Sequence, residues 1–306
     1  MARRRRALPG ALVVLAAACL AACGAGAGSP SSDARLLVTA DFGNRVLVRA
    51  DAPEVRGADT VMRLVQRNAK VTTRYGGGFV QSIDGLAGGQ RGGRPVDWFF
   101  YVDGVLSERG AAQVRVADDD AVWWDHHDWG SGPGSGSAVV GSFPAPFTSR
   151  AAQACIPASA PACATTRTAL TRAGARVESV APSALGRGDV PGVLVGTAGA
   201  IRDTRVGRLL RQGPEGSGVY ARPVRDGREI ALLDQRGRRV RASGAGTGLV
   251  AATRTDGQAP VWVVTGTDDA GAQAAAGALT QDRLATRFAV AVEGEDTTPL
   301  PLEPGR

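Results

Sequence analysis

The chain has 306 residues, with 36 basic and 29 acidic side chains, a formal net charge of +7 and 43% hydrophobic residues. That length accommodates about two domains with sizeable cores. Every basic residue except Lys70 is arginine, and four of them form Arg3-Arg4-Arg5-Arg6; without residues 1–22 the balance falls to 32 basic against 29 acidic, too even to argue for a nucleic-acid partner.

In chain order, the four arginines form a positive n-region and Leu12 to Leu20 a short apolar run. The run is too short to span a bilayer and ends in small residues, the pattern of a secretory signal. Leu20-Ala21-Ala22-Cys23, followed by Gly24, resembles a bacterial lipobox. The resemblance implies a signal peptide over 1–22, a lipid on Cys23, and an extracytoplasmic chain anchored to the cell membrane. The Gly, Ala and Ser of the following residues predict a flexible tether over 23–34.

Arg35 to Asp41 and Arg45 to Arg49 alternate polar and apolar positions around Gly43-Asn44, which predicts a hairpin. Val61, Leu64 and Val65 follow helical spacing behind a cap at Asp59 or Thr60. Phe79–Ile83, Trp98–Val102 and Ala121–Trp124 are short β-rich runs bounded by Gly or Asp. Strand, strand, helix and further strands make an α+β domain over 35–129. Residues 130–137 are Gly, Ser and Pro and predict a linker to a second domain over 138–306.

The second half changes character. Helical patterns at Thr165–Gly174, Asp203–Gln212 and Ala270–Leu279 alternate with strand-like runs at Arg176–Val180, Gly192–Gly196, Pro260–Gly266 and Phe288–Val292. Val219–Val224 and Glu229–Asp234 flank Asp226-Gly227, a hairpin signal. The alternation predicts a three-layer α/β domain around a parallel or mixed sheet. Beyond Cys19 and Cys23, the remaining pair is Cys155 and Cys163. An even pair in an oxidising compartment predicts a disulfide closing a short loop; a metal pair is the competing reading, but no His or further Cys lies nearby.

Four motifs in the first domain carry a family resemblance: Asp59-Thr60-Val61-Met62-Arg63-Leu64, Phe79-Val80-Gln81-Ser82-Ile83-Asp84-Gly85-Leu86, Trp98-Phe99-Phe100-Tyr101-Val102-Asp103-Gly104 and Asp118-Asp119-Asp120-Ala121-Val122-Trp123-Trp124. Their order and spacing over residues 36–128 resemble a domain family of unknown function that is similar to the C-terminal domain of transcobalamin. Asp103 replaces the Asn usual before the Gly, and Asp119-Asp120 replaces Gly-Asp before the last strand. The resemblance implies a β-grasp-like module of exported and envelope proteins, associated with ligand binding. In transcobalamin the corresponding domain covers one face of a corrinoid, but this chain shows nothing like the helical partner domain that completes that site.

The densest chemical cluster is Trp123-Trp124-Asp125-His126-His127-Asp128-Trp129. Two His and two Asp have metal-ligating chemistry, yet adjacent residues on a strand point to opposite faces, which sets His126 against His127. A polar, aromatic strand end is the plainer reading. For function, Trp98, Tyr101, Trp123, Trp124 and Trp129 are the candidate ligand-facing rings, with exactly one of Trp123 and Trp124 expected in the core. The Gly-rich stretches at 76–78 and 88–94 lack phosphate-loop spacing, and Asp268 and Asp269 read as helix caps that repel phosphate. No nucleophile elbow is present, and both His lie in one place. The sequence therefore predicts a lipid-anchored extracytoplasmic binding protein, with no catalytic residues, no cofactor and no metal. Its partners are the membrane and a small-molecule ligand, such as a corrinoid, or an envelope protein. The alternatives are a structural or scaffolding lipoprotein that binds a protein or glycan, and a hydrolase with an unrecognised site.

Overall fold

The computed structural model describes residues 33–129, 137–156, 159–255 and 257–303. The expected signal segment, Cys23, the tether up to residue 32 and linker residues 130–136 lie outside them. In the first half β1 (Arg35–Ala40) and β2 (Arg45–Asp51) are followed by α1 (Val61–Asn68), β3 (Val71–Arg74), β4 (Phe79–Ile83), β5 (Leu86–Ala87), β6 (Gly89–Arg91), β7 (Arg94–Val102), β8 (Val105–Leu106) and β9 (Ala121–Asp128). One sheet runs β2-β1-β9-β7-β6, with β8 on β7, and a smaller one runs β3-β4-β5. β1 pairs β9 in parallel; the other pairs of the larger sheet are antiparallel.

α1 starts where Thr60 accepts the Arg63 backbone N–H, as its sequence predicts. Val61, Leu64 and Val65 bury its inner face against Leu36, Val38, Trp98, Phe100, Val122 and Trp124, with Val80 and Ile83 of the smaller sheet closing this core. Burial of this apolar set holds a helix too short to be stable alone.

The second half holds β10 (Arg150–Cys155), α2 (Ala160–Arg172), β11 (Arg176–Ser179), β12 (Gly192–Thr197), α3 (Ala198–Ile201), α4 (Arg205–Arg211) and α5 (Pro214–Ser217). Then come β13 (Ala221–Val224), β14 (Glu229–Leu233), β15 (Arg239–Ser243), β16 (Thr247–Thr253), β17 (Val261–Gly266), α6 (Asp269–Gly277), α7 (Gln281–Leu284), β18 (Ala289–Glu293) and β19 (Asp296–Leu300). A seven-stranded sheet runs β11-β10-β12-β17-β16-β18-β19, and β13-β14-β15 form a separate antiparallel sheet. The seven-stranded sheet is mixed: β11, β10, β12 and β17 are parallel, and β16, β18 and β19 join antiparallel. The whole is a mixed α and β architecture, rich in strands.

Strand alternation divides the large sheet between two cores. Val250, Ala252, Trp262 and Val264 face α2 and α6, where Ala162, Leu170, Ala272, Ala275 and Ala276 are buried. Small residues let α6 lie close: a Cβ on Gly266 would fall 2.2 Å from the Ala272 amide nitrogen. On the other face, Leu249, Ala251, Val261 and Val263 meet Val206 and Leu210 of α4 and Ile230 to Leu233 of β14. This face corrects the expected three layers: an antiparallel sheet, short helices and the first half of the chain cover it, not a second helical layer. The helical pattern expected over 203–212 narrows to Arg205–Arg211 behind the Thr204 cap, and the helix expected from Thr165 starts at Ala160.

Cys155 at the end of β10 and Cys163 in α2 form the expected disulfide, with their Cα atoms 5.9 Å apart. It ties the start of α2 to the strand it packs against.

Candidate functional site

β7 and β9 pair from Val96↔Asp128 to Val102↔Val122. Period-two alternation therefore sends Trp98, Phe100, Trp124 and His126 to one face and Phe99, Tyr101, Trp123, Asp125 and His127 to the other. The first face packs on α1. The second packs on the second half of the chain, and Phe42, Tyr101 and Trp123 share one core with Tyr220, Leu249 and Phe288. Of the five rings expected to face a ligand, Trp98, Tyr101, Trp123 and Trp124 are buried, and Trp129 is 51% exposed. The expectation that exactly one of Trp123 and Trp124 is core is corrected: both are buried, in different cores, because both faces of this sheet are covered.

His126 and His127 do point apart, and they do different work. His126 donates from Nε2 to the Ala87 carbonyl at 3.0 Å and lies 5.1 Å from Trp98, centroid to centroid. Its Nδ1 is buried without a partner, and burial holds the imidazole below its ordinary pKa. His127 stacks on Phe99 at 4.5 Å and lies 4.6 Å from Phe42. Its Nδ1 is 2.8 Å from Asp125 Oδ1. Among the described residues, no group of three or more His, Cys, Asp or Glu side chains is placed to hold a metal ion.

Asp125 is the centre of this network and is fully buried. Its Oδ1 also accepts from the Phe42 amide at 3.1 Å, and its Oδ2 accepts from the Gly43 amide at 2.8 Å and from the Thr39 hydroxyl. Thr39 Oγ1 in turn accepts from Trp123 Nε1 at 2.7 Å. Asp41, Phe42 and Gly43 take consecutive left-handed φ values of 59°, 58° and 80°. That conformation is costly for a bulky residue, so the two amides held by one carboxylate explain why it persists. The turn aims Phe42 out of its own sheet, 5.2 Å from Tyr220 and 5.1 Å from Phe288. The sequence showed a hairpin turn at Gly43-Asn44 but gave no sign of this contact, since no local pattern marks a turn residue as an interface anchor.

Beside this joint the two halves leave a cleft of about 400 Å³. Asp41, Phe42, Arg91, Arg94 and Asp128 line it from the first half, and Gln235, Arg236, Pro301, Leu302 and Glu303 from the second. Arg91 pairs with Asp41 at 2.7 Å, and Arg94 Nη2 donates to Asp128 Oδ1 at 3.0 Å. The Arg236 side chain is exposed; its backbone N–H is bound by Asp234 at 2.8 Å. Asp128 belonged to the chemical cluster read from the sequence, and Arg91 and Arg94 to a Gly-rich stretch; Arg236 did not stand out, because it lies far from them along the chain and meets them only when the halves dock.

Residues 58–128 match the family described as Domain of unknown function (DUF4430). The matched span contains all four motifs that carried the resemblance, runs from just before the Thr60 cap of α1 to the end of β9, and leaves β1 and β2 outside. No curated protein and no solved structure matches the chain.

Proposed function

We propose that this chain is a lipid-anchored, extracytoplasmic binding protein without a catalytic role, and that its ligand occupies the cleft between the two halves. The observation that carries the reading is the cleft itself. Its volume of about 400 Å³ lies in the range of small-molecule sites, and it combines an apolar wall, Phe42 and Leu302, with guanidinium groups from both halves. Paired charges of both signs suit a small zwitterionic or anionic molecule. They suit a corrinoid less, because four of the five rings that would stack on a macrocycle, Trp98, Tyr101, Trp123 and Trp124, lie inside the protein's own cores. The anchor rests on the lipobox resemblance at Cys23, and the N-terminal half is read as β-grasp-like on its resemblance to the transcobalamin domain.

The test is native mass spectrometry of the protein released from its own membrane in a mild detergent. A bound small molecule that is lost in Arg94→Ala and in Arg236→Glu supports the cleft. A retained molecule that survives both substitutions places the ligand elsewhere and overturns the site. One observation favours a scaffolding role instead: a core shared by both halves makes them a rigid pair suited to presenting surfaces. A protein that retains no small molecule and forms a stoichiometric complex with an envelope protein after cross-linking on cells would favour that reading.

A further inference from the structure

Residues 202 to 241 hold eleven arginines against five acidic residues, although the chain without its first 22 residues is nearly balanced. All eleven arginines are exposed. α4 shows how they are sorted. Val206 and Leu210 point into the core, while Arg205, Arg208 and Arg211 recur every third residue on the solvent side. Four of the eleven are ion-paired: Arg202 with Asp203, Arg225 with Glu229, Arg238 with Asp234 and Arg241 with Glu293.

Within this basic region is a cavity of about 160 Å³ between α3, α4 and the β13–β14 turn. Arg202, Arg211 and Arg225 come to it from three different elements, over apolar walls that include Ile201 and Val224. One water needs roughly 10–15 Å³ on this measure, so a tetrahedral anion and several waters fit. The walls are fixed. A Cβ on Gly227 would fall 2.3 Å from the Gly199 amide nitrogen, so the turn carrying Arg225 lies directly against α3. Arg211 donates to the Arg202 carbonyl at 2.9 Å, which ties the end of α4 to the same corner. Asp226 is the one carboxylate in the lining. The Arg202–Asp203 pair is solvent-exposed at both ends, 50% and 82%, so exchanging Asp203 for an anion costs little, and the Arg225 side chain is 71% exposed beside a Glu229 that is 23% exposed.

We propose that this cavity binds a phosphate group, free or as the ester head of an anionic lipid. Guanidinium forks match phosphate oxygens two at a time, and three of them around one concavity answer the charge of about −1.5 to −2 on free phosphate or the single charge of a phosphodiester headgroup. The site shares no residue with the cleft, so it stands or falls independently of the function proposed above.

The test uses the full chain in dodecyl maltoside, a detergent without phosphate. The first arm titrates inorganic phosphate and follows thermal stabilisation and 31P line broadening. The second measures stabilisation by mixed micelles doped with phosphatidylglycerol, against micelles doped with phosphatidylcholine. Both arms compare the wild type with Arg202→Gln/Arg211→Gln/Arg225→Gln and with Arg222→Gln/Arg239→Gln, which removes exposed charge outside the cavity lining. The expected result is a loss of affinity of at least about tenfold in the triple variant and less than about twofold in the control. Loss in the phosphate arm identifies free phosphate; loss confined to phosphatidylglycerol identifies the lipid headgroup. Equal losses in both variants mean diffuse charge and overturn the proposal, as does no binding in either arm. If the triple variant misfolds by near-ultraviolet circular dichroism, Arg225→Gln, at the exposed turn, must still weaken binding about threefold or more.

Discussion

Replacing Asp125 by Asn removes one charge and changes the side-chain volume little, yet it should weaken the joint between the two halves. Each carboxylate oxygen accepts two hydrogen bonds: Oδ1 from the Phe42 amide and His127, Oδ2 from the Gly43 amide and Thr39. An Asn amide keeps one accepting oxygen and turns the other position into a donor. With the NH₂ at the Oδ2 position, Thr39 turns its hydroxyl to the Trp124 carbonyl, 3.3 Å away, but the Gly43 amide is stranded. With the NH₂ at the Oδ1 position, His127 accommodates by changing tautomer, and the Phe42 amide is stranded. Either way one buried backbone N–H loses its partner, at about 1–3 kcal/mol, and the remaining bonds lose their charge assistance, at about 1 kcal/mol or more. The left-handed turn at residues 41 to 43 then loses part of what offsets its strain. The total is about 2–4 kcal/mol. With a guanidinium m-value of about 4 kcal/mol/M, the unfolding midpoint should fall by about 0.5–1 M. Tryptophan fluorescence reads the transition directly, because Trp123 is bonded to the same network. A midpoint within about 0.2 M of wild type would refute the argument that this carboxylate holds the turn.

Three further outcomes follow from particular groups. Non-reducing peptide mapping should recover Cys155 and Cys163 in one linked species, and the double Ser variant should lose about 2–3 kcal/mol, the chain-entropy value for so short a loop. The Asp103 carboxyl is pushed up to about 6 from 3.8, mainly by desolvation, with the Ala121 amide opposing and Asp120 and Asp119 adding to the rise. Its folded pKa is raised, so its stabilising contribution is full below about pH 4 and is lost as pH rises toward 6 and beyond. Asp103→Asn keeps an oxygen for the Ala121 amide at 3.0 Å and a side chain tolerant of φ 51°; it should flatten that slope and add about 1–3 kcal/mol at pH 7, measured by denaturation at several pH values. Cys23→Ala should block processing after Ala22; mature, membrane-bound protein in that variant would overturn the lipid anchor.

What the sequence determined by itself was local. Thr60 capping α1, the hydrophobic spacing of Val61, Leu64 and Val65, the Asp226-Gly227 turn and the Asp268 cap of α6 are short-range signals, and each falls where the local chemistry places it. The four motifs identified the domain family for the same reason: they are contiguous in the chain. The β16 strand, at Thr247–Thr253, had no such signal. Apart from Leu249 and Val250 its residues are small, all are buried, and only pairing with β17 and β18 makes them a strand near the centre of the sheet. Tertiary structure alone decided what each face of β9 meets. Alternation puts Trp123 and Trp124 on opposite faces and thus limits each face to one ring, but it contains nothing about a second half, distant in the chain, that brings Tyr220 and Phe288 to cover the outer face. Burial of that face moved the candidate site from the aromatic rings to charged residues at the seam. Arg236 lies too far in sequence from Arg91 and Arg94 for any local pattern to join them, and only docking of the two apolar faces brings all three around one cleft.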